Sequence, residues 1–412
     1  MRLTVVTFGS EGDTRPFVGL CRGLMDSGHE VQLFADQASA YNAQLCGVPV
    51  QVLPGDVRST LPIGNPSQEI RRAEVFQAIK ACFRLIRENS AAWMKVVASD
   101  ARRSDAILFA GLASPVARIV AEELRKPAIE LWVTPTTPTR DYPAATLRPM
   151  HLPGWVNLLS HRLSPRAVMQ RFFGKPAAAA RKAIFGETSA AGGEYEFPIL
   201  YGFSRHLVPR SDDWPDAHQI SGHWVLPSDN WAAPRDLLAF LAAGPPPIYV
   251  GFGAVSCFLR QKGLNAITSA VQGRRVVFFP GWSNITATAL PSNFFLLGNT
   301  PHSWLFPRTS MVIHHCGAGT THTAARAGVP SVPVPFGADQ FFWAGRLTSA
   351  GVAAKYLPGP KLEASRLASM IEFAEQDVVR QRARALGVAM SMENGIALAV
   401  AEIESRISGK LA

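Results

Sequence analysis

MVIHHCGAGTTHTAARAGVPSVPVPFG, from Met311 to Gly337, shows the clearest structural pattern of the chain. Met311 to Ile313 is a short apolar run typical of the end of a buried strand, and Ser331 to Pro335 is a second such run. Between them, a turn of small residues is followed by two threonines and a helical pattern. The stretch therefore predicts a strand–turn–helix–strand unit that presents backbone N–H groups and a helix N-terminus together. That arrangement suits a phosphate group.

Polar side chains stand at both ends of this unit. His315 lies in the turn directly after the first strand, and Asp339 and Gln340 follow the second strand. An open α/β sheet keeps its ligand crevice at the carboxyl ends of its strands. A carboxylate beside a carboxamide can hold adjacent hydroxyl groups of a sugar. The unit thus predicts a diphosphate-binding end and a polyol-binding end, although a glycine-rich turn alone is a weak signal because glycine is also an ordinary helix-entry residue.

These residues resemble the nucleotide-sugar motif of the family 1 glycosyltransferases of the GT-B fold. The matching runs are His315 to Thr321, Ala327 to Pro330 and Asp339-Gln340, and the runs Pro301 to Pro307 and Phe341 to Trp343 are similar to the sterol 3-beta-glucosyltransferase branch in particular. The resemblance extends from residue 2 to about residue 405 and is weakest from 55 to 195. It implies an α/β protein of two Rossmann-like, doubly wound domains that face a central cleft.

Length and composition agree with two domains. The chain has 412 residues, more than one core usually supports, and its 47% hydrophobic and 17% charged residues are typical of a well-buried globular protein. We predict an N-terminal acceptor-binding domain over residues 1–208 and an interdomain linker over 209–234. A nucleotide-sugar-binding domain over 235–390 and a C-terminal helix over 391–412 that crosses back to the first domain complete the prediction.

The same composition excludes several classes of protein. No apolar run reaches the roughly 20 residues that a transmembrane helix needs, and the chain opens with a strand rather than a signal sequence, so we predict a cytoplasmic protein. Five widely spread cysteines without CxxC spacing predict reduced thiols. The net charge of +10 suits an anionic partner, but basic and aromatic residues do not alternate, so we expect no nucleic acid. The oligomeric state is not indicated.

A basic amphipathic segment between Arg162 and Lys182 leaves two alternatives open. It is either a helix packed on its own domain or a point of peripheral contact with an anionic membrane, at the inner face.

Asp13 is the candidate catalytic base. It lies in the turn after the first predicted strand, before a helix predicted to begin at Phe17. An aspartate at such a place is, by residue type alone, more typical of a helix N-cap. Gly12-Asp13 and Pro16, however, occupy the frame in which much of the superfamily has a Gly-His pair and a proline. Aspartate here resembles the sterol and glycopeptide branches, which implies a carboxylate base, but where those branches often have an arginine this chain has Glu11.

The resemblance also implies the residues that bind the donor. Thr300 and His302 resemble the loop that reads the edge of uracil, and Ala254 stands where the resembling branch has a phosphate-contacting serine, unless Ser256 replaces it. His314, the neighbour of His315, points to the opposite face of the strand and is expected to be structural. The implied donor-binding residues are Ser10, Gly253, Thr300, His302, His315, Gly317, Ala318, Gly319, Thr320, Thr321, Asp339 and Gln340.

Together these features predict an inverting transfer of a hexose, glucose from UDP-glucose, to a hydroxyl of an apolar acceptor such as a sterol-like lipid, a polyketide or an aromatic natural product. Asp13 would accept the proton of that hydroxyl. The chain has no Asp-x-Asp pattern, so we expect neither a metal ion nor another cofactor, and the protein itself must meet the charge of the leaving group. Three alternatives stay open: a dTDP-deoxysugar donor such as dTDP-rhamnose, a catalytically impaired nucleotide-sugar-binding protein, and a UDP-sugar epimerase.

Overall fold

The computed structural model describes residues 1–9, 11–60, 72–186, 196–226, 231–259, 261–283 and 285–411. Its N-terminal domain has seven strands: β1 (Arg2–Val6), β2 (Glu30–Ala35), β3 (Val50–Val52), β4 (Ala106–Phe109), β5 (Ala128–Trp132), β6 (Ile199–Tyr201) and β7 (His218–Ile220). They form one parallel sheet in the order β3-β2-β1-β4-β5-β6-β7. Its helices are α1 (Glu11–Asp26), α2 (Gln37–Leu45), α3 (Arg72–Ala101), α4 (Ser114–Leu124), α5 (Gly154–Ser160) and α6 (Pro165–Phe185).

The C-terminal domain has five strands: β8 (Ile248–Gly251), β9 (Val276–Phe279), β10 (Phe294–Leu296), β11 (Met311–His314) and β12 (Ser331–Pro333). Their order is β10-β9-β8-β11-β12, again parallel. Its helices are α7 (Arg235–Ala242), α8 (Gln261–Ala270), α9 (His302–Leu305), α10 (Ala318–Arg326), α11 (Gln340–Ser349), α12 (Ala364–Glu375), α13 (Asp377–Ser391) and α14 (Gly395–Leu411). The strand order reverses beside the first strand of each domain, so the predicted doubly wound α/β class is confirmed.

Both sheets are covered on their two faces, which is why their strands are continuous apolar runs rather than alternating ones. Every residue of β4 and of β11 is buried. In the C-terminal sheet, Ile313 pairs with Val250 on one side and with Val332 on the other. Because the strands are parallel, the carboxyl ends of β8, β11 and β12 meet at one edge, where the candidate site lies.

An apolar cluster joins the two domains behind the cleft. It includes Trp132 and Phe203 of the N-terminal domain and Cys316, Phe342 and Trp343 of the C-terminal domain. The rings of Phe203 and Trp343 meet edge to face, with their centroids 5.9 Å apart. Burial of such side chains removes apolar surface of both domains from water, so the cluster stabilises their contact.

The final helix, α14, packs into the N-terminal domain. Ala399, Ile403 and Ile407 are buried in the core that α1 also lines, and His29 Nε2 lies 2.8 Å from Glu404 Oε1. One helical stretch, Asp377–Gly409, is long and apolar enough, by length and composition alone, to cross a bilayer, although we predicted no such run. In the structure this stretch is divided into α13 and α14, and 33% of its most apolar window is buried. All five cysteines lie in the described ranges, and no disulfide joins them there.

Three elements differ from the sequence-based predictions. Helix α1 begins at Glu11 rather than at Phe17 and includes Pro16, although proline has no amide to donate to the carbonyl four residues earlier. Strand β7 extends the N-terminal sheet into the stretch predicted as linker, and its three residues carry no apolar run. Helix α5 lies within the stretch 134–165, whose many prolines and threonines indicate an irregular loop. The basic and apolar residues from 68 to 101 indicate one long helix, of which the structure describes Arg72–Ala101.

Candidate active site

The turn between β11 and α10 forms a half-buried helix N-terminus. Cys316 has a φ of +64°, a left-handed conformation that non-glycine residues rarely adopt, and its amide donates to His314 Nδ1 at 3.2 Å. His314 is fully buried, in agreement with its predicted structural role. Gly317 is the N-cap of α10 and offers no side-chain cap, so the amides of the first turn have no intrahelical acceptor. Such an N-terminus can bind an anion.

His315 lies between two glycines. A Cβ added to Gly317 would lie 2.6 Å from Nε2 of His315, and one added to Gly253 would lie 3.2 Å from its Cε1. The parallel pairing of Gly251 with His314 brings these strand ends together. Burial lowers the pKa of His315 to about 4, which the Gly251 carbonyl partly opposes, so the imidazole is neutral at pH 7. Its Nδ1 is buried and makes no hydrogen bond of normal geometry within the described part of the chain.

Three threonines and His302 complete the predicted donor side. Thr321 is fully buried and its Oγ1 has no partner among the described residues, whereas Thr320 is half-buried. Thr300 Oγ1 donates to Gly298 O at 3.2 Å. His302 is the first residue of α9, and its Nε2 lies 3.0 Å from the Tyr249 hydroxyl. Burial and, to a smaller extent, the positive charge of Arg15 lower the pKa of His302 to about 3. These residues shape one wall around the α10 N-terminus.

Asp339 is held by both domains. Its Oδ2 accepts hydrogen bonds from Thr134 Oγ1 of the N-terminal domain at 2.8 Å and from Trp343 Nε1 at 3.1 Å. Gln340 Oε1 accepts from the amides of Phe336 at 2.8 Å and Gly337 at 3.2 Å. Because that oxygen is occupied, the NH₂ group of Gln340 is the part of the carboxamide that can meet a sugar hydroxyl. Both side chains are half-buried at the start of α11.

The N-terminal half of the predicted site is only partly described. Ser10 lies outside the described residues. The backbone of Asp13 is in the first turn of α1, not in a turn before it, and its side chain also lies outside the description. Helix α1 packs against α10 and against the short 3-10 helix Gly253–Phe258, with Cα atoms within 8 Å. The fold thus brings the helix of the candidate base to the candidate phosphate turn.

Arg15 is a residue that the sequence-based predictions missed. It lies four residues after Glu11 and therefore on the same face of α1. Its Nη2 donates to Asn299 Oδ1 of the other domain at 3.0 Å. Its positive charge adds to the burial that lowers the pKa of His302, and it opposes the burial that raises the pKa of Tyr249. A cation thus reaches the donor side from α1 although position 11 holds an acid. A prediction that began the helix at Glu11 instead of Phe17 would have placed positions 11 and 15 on one face of α1.

Ser256, the predicted alternative to the hydroxyl that Ala254 lacks, contacts the loop after β9. It is buried, and its Oγ accepts a hydrogen bond from the amide of Trp282 at 2.7 Å, so it holds that loop. No three His, Cys, Asp or Glu side chains among the described residues form a group that could hold a metal ion. Whether the reaction uses a metal is not tested by this observation, and metal independence stays a prediction.

Comparisons with known proteins relate the chain to enzymes that transfer sugars. A family model described as "Erythromycin biosynthesis protein CIII-like, C-terminal domain" matches residues 264–400. An O-mycaminosyltylonolide 6-deoxyallosyltransferase of Streptomyces fradiae is 31% identical over 426 residues, which cover 98% of this chain and 97% of that protein. A sterol 3-beta-glucosyltransferase of Arabidopsis thaliana is 29% identical over 428 residues, 97% of this chain and 67% of that protein. The chain spans 35% of the length of a Saccharomyces cerevisiae enzyme of the same description.

Solved structures show the same architecture. The glycotransferase of kitacinnamycin superposes with a TM-score of 0.69 at 17% identity, covering 98% of this chain and 99% of that one. The glycosyltransferase VinC in complex with dTDP gives a TM-score of 0.66 at 18% identity, covering 99% and 100%. At these identities the likeness shows the fold alone.

Proposed function

The chain belongs to the family 1 glycosyltransferases of the GT-B fold, and from that premise we propose that it transfers glucose from UDP-glucose to a hydroxyl group of an apolar acceptor, with inversion and without a metal ion. The observation that carries the proposal is the placement of the uncapped α10 N-terminus, with neutral His315 beside it, against α1 of the other domain. A cytoplasmic location, and a sterol-like lipid, polyketide or aromatic natural product as acceptor, are part of the proposal.

The diphosphate is the group that the α10 turn suits. Negative charge develops on the leaving nucleoside diphosphate in the transition state, so donors already aimed at it lower the barrier. The amides of Gly317 to Thr320 and the imidazole of His315 supply hydrogen bonds, and the helix dipole adds partial positive charge. Arg15 adds a full positive charge from the opposite domain. This set supports neutralisation of the leaving group by the protein itself.

Asp339 and Gln340 are the residues that we propose bind the sugar. The carboxylate of Asp339 already accepts from Thr134 of the acceptor domain, so the orientation of that carboxylate depends on how the two domains meet. We propose that this contact couples docking of the domains to the positioning of the hexose. Such positioning contributes to catalysis because a reacting carbon must be held in line with its nucleophile.

Asp13 is the proposed general base, on the resemblance and on the position of its helix. Asp13→Asn should lower turnover by about 10²–10⁴-fold, the usual contribution of a positioned general base, while UDP affinity measured by calorimetry stays unchanged. Asp26→Asn, at the other end of the same helix, is the matched control and should retain activity. Near-full transfer activity of Asp13→Asn would disprove the assignment.

A dTDP-deoxysugar is the second candidate donor. The relative with 31% identity is named as a 6-deoxyallosyltransferase, and VinC was solved with dTDP. Mass spectrometry of the products formed from an acceptor library, offered with UDP-glucose and separately with dTDP-rhamnose, distinguishes the two donors. If neither donor gives a product and UDP still binds tightly, the result would favour a binding protein that has lost catalysis.

A further inference from the structure

Helix α5 and the turn after it have their polarity reversed. The side chain of Asn157 is buried, whereas Trp155, Leu158 and Leu159 face solvent. Trp155 is 69% exposed, and Leu163 in the following turn is 53% exposed. A surface helix of a globular protein normally turns its apolar face inward. Such an exposed apolar stripe is typical of a surface that binds a partner outside the chain.

Polar contacts fix the helix in this orientation. Asn157 Nδ2 donates to the carbonyl of Arg140 at 2.8 Å. Ser160 Oγ accepts from the amide of Ala144 at 2.8 Å and donates to Asn157 O at 2.6 Å. His161 Nε2 lies 3.1 Å from the Tyr142 carbonyl, and burial lowers the pKa of this ring, so it stays neutral and donates. The apolar face cannot turn inward without breaking these bonds.

The stretch that contains the helix is basic, although Asp141 precedes it and Asp213 pairs with Arg140, whose carbonyl holds Asn157. No aspartate or glutamate occurs between residues 142 and 186, whereas Arg148, Arg162 and Arg171 are exposed in that stretch. Two other cations of the stretch are neutralised inside the domain, since Arg166 pairs with Glu130 at 2.9 Å and Arg181 pairs with Glu123. An exposed apolar stripe flanked by arginines that have no acidic partner among the described residues complements an anionic lipid surface.

We propose that this α5 surface, made of Met150, Trp155, Leu158, Leu159, Arg162 and Leu163, docks onto an anionic phospholipid bilayer. Within the segment 162–182, where the sequence left peripheral attachment open, Met169 instead packs against the core cluster that α3 and α4 line. Attachment therefore belongs to α5 rather than to the body of α6. The side chains of Phe173 and Lys175, which were part of that prediction, lie outside the described residues.

The docking surface lies close to the proposed sugar site. The loop that leads to α5 contains Thr134, bonded to Asp339, and Arg148, whose guanidinium lies 4.9 Å from the ring centroid of Phe341. A bilayer on the α5 surface would thus hold an apolar acceptor near the cleft rim. This last step rests on the proposed function, whereas bilayer binding itself does not.

Vesicle co-sedimentation of the full chain, without donor or acceptor, tests the proposal. Wild type should bind vesicles of phosphatidylcholine and phosphatidylglycerol, more weakly at high salt. Trp155→Ser with Leu159→Ser should weaken partition by about tenfold or more. Arg162→Glu should weaken binding to these vesicles while leaving binding to pure phosphatidylcholine unchanged. The control is Val388→Ser with Met392→Ser, which removes two strongly exposed apolar side chains from the Asp377–Gly409 stretch and should bind as wild type does.

Several results would overturn the proposal. These are no vesicle binding by wild type, undiminished binding by both α5 variants, or loss of binding only in the Val388 and Met392 control. Light scattering that shows dimers of wild type, abolished by the Trp155 and Leu159 changes, would assign the surface to a second copy of the chain. Equal thermal midpoints establish that the variants fold, and if the double variant does not fold, the Arg162→Glu result decides.

Discussion

Replacing Gly317 with alanine should specifically displace His315. The backbone of Gly317 has φ −62° and ψ 147°, which alanine adopts freely, so the change adds only a methyl group. That methyl would lie 2.6 Å from His315 Nε2, whereas ordinary contact begins at 3.4 Å, so the ring must move by about 1 Å. If the ring donates to the diphosphate, the shift removes a charge-assisted hydrogen bond of about 1.5–3 kcal/mol, or about 10- to 150-fold in donor affinity.

Calorimetry with UDP and steady-state kinetics with the donor measure this effect. Gly298→Ala is the matched control, because a methyl there meets nothing within 4 Å, and we expect less than about twofold change. In the double variant His315→Ala with Gly317→Ala the clash is gone, so its affinity should equal that of His315→Ala alone. The reasoning fails if Gly317→Ala binds UDP like wild type, or if the two changes weaken binding additively.

Three further predictions follow from the contacts at the cleft and from the buried histidines. Arg15→Gln should lower kcat/KM by about tenfold or more, and Arg15→Lys should retain part of the activity. A glutamine variant with the kinetic constants of wild type would show that Arg15 does not act on the leaving group. Thr134→Val removes one hydrogen bond to the Asp339 carboxylate, so it should cost about 1 kcal/mol, or about fivefold in kcat/KM. The affinity for UDP should stay unchanged. Weakened UDP affinity would show a wider rearrangement. His314 and His322 are buried and neutral, with burial lowering their pKa values to about 3 and about 4. Below about pH 6.5 these rings become protonated in the unfolded chain but not in the folded chain. Stability should therefore fall between about pH 6.5 and 4, by up to about 1.4 kcal/mol per pH unit for each ring. A thermal midpoint that stays level from pH 7 to pH 4.5 would contradict this, and His322→Asn should flatten the profile.

The parallel sheets could be predicted because their strands are buried on both faces and so appear as continuous apolar runs. The predicted strands at Met311 and Ser331 and the helix between them agree closely with β11, β12 and α10. Strand β7 could not be predicted, since His218-Gln219-Ile220 is held by pairing with β6 and not by its own hydrophobicity. Helix α5 was missed for a different reason: its seven residues lie in a stretch rich in proline and threonine that reads as a loop.

The donor half of the candidate site was accessible from the sequence because its residues are close neighbours along the chain. His315 and Gly317 belong to one turn, and Gly253 reaches them through the pairing of β8 with β11. The contacts between domains were not accessible. Arg15 meets Asn299 and Thr134 meets Asp339 across separations of 284 and 205 residues, and no local pattern records such a pairing.

The insertion of α14 into the first domain affects how hybrid enzymes must be designed. Ile396 lies so close to Gly23 that a Cβ there would overlap it, and Ile403 and Ile407 fill the space beside α1. A chimera with a single crossover in the linker would therefore seat a foreign helix against a surface shaped for this one. A hybrid that exchanges the C-terminal domain between relatives needs two crossovers, so that residues 395–411 stay with the N-terminal domain against which they pack.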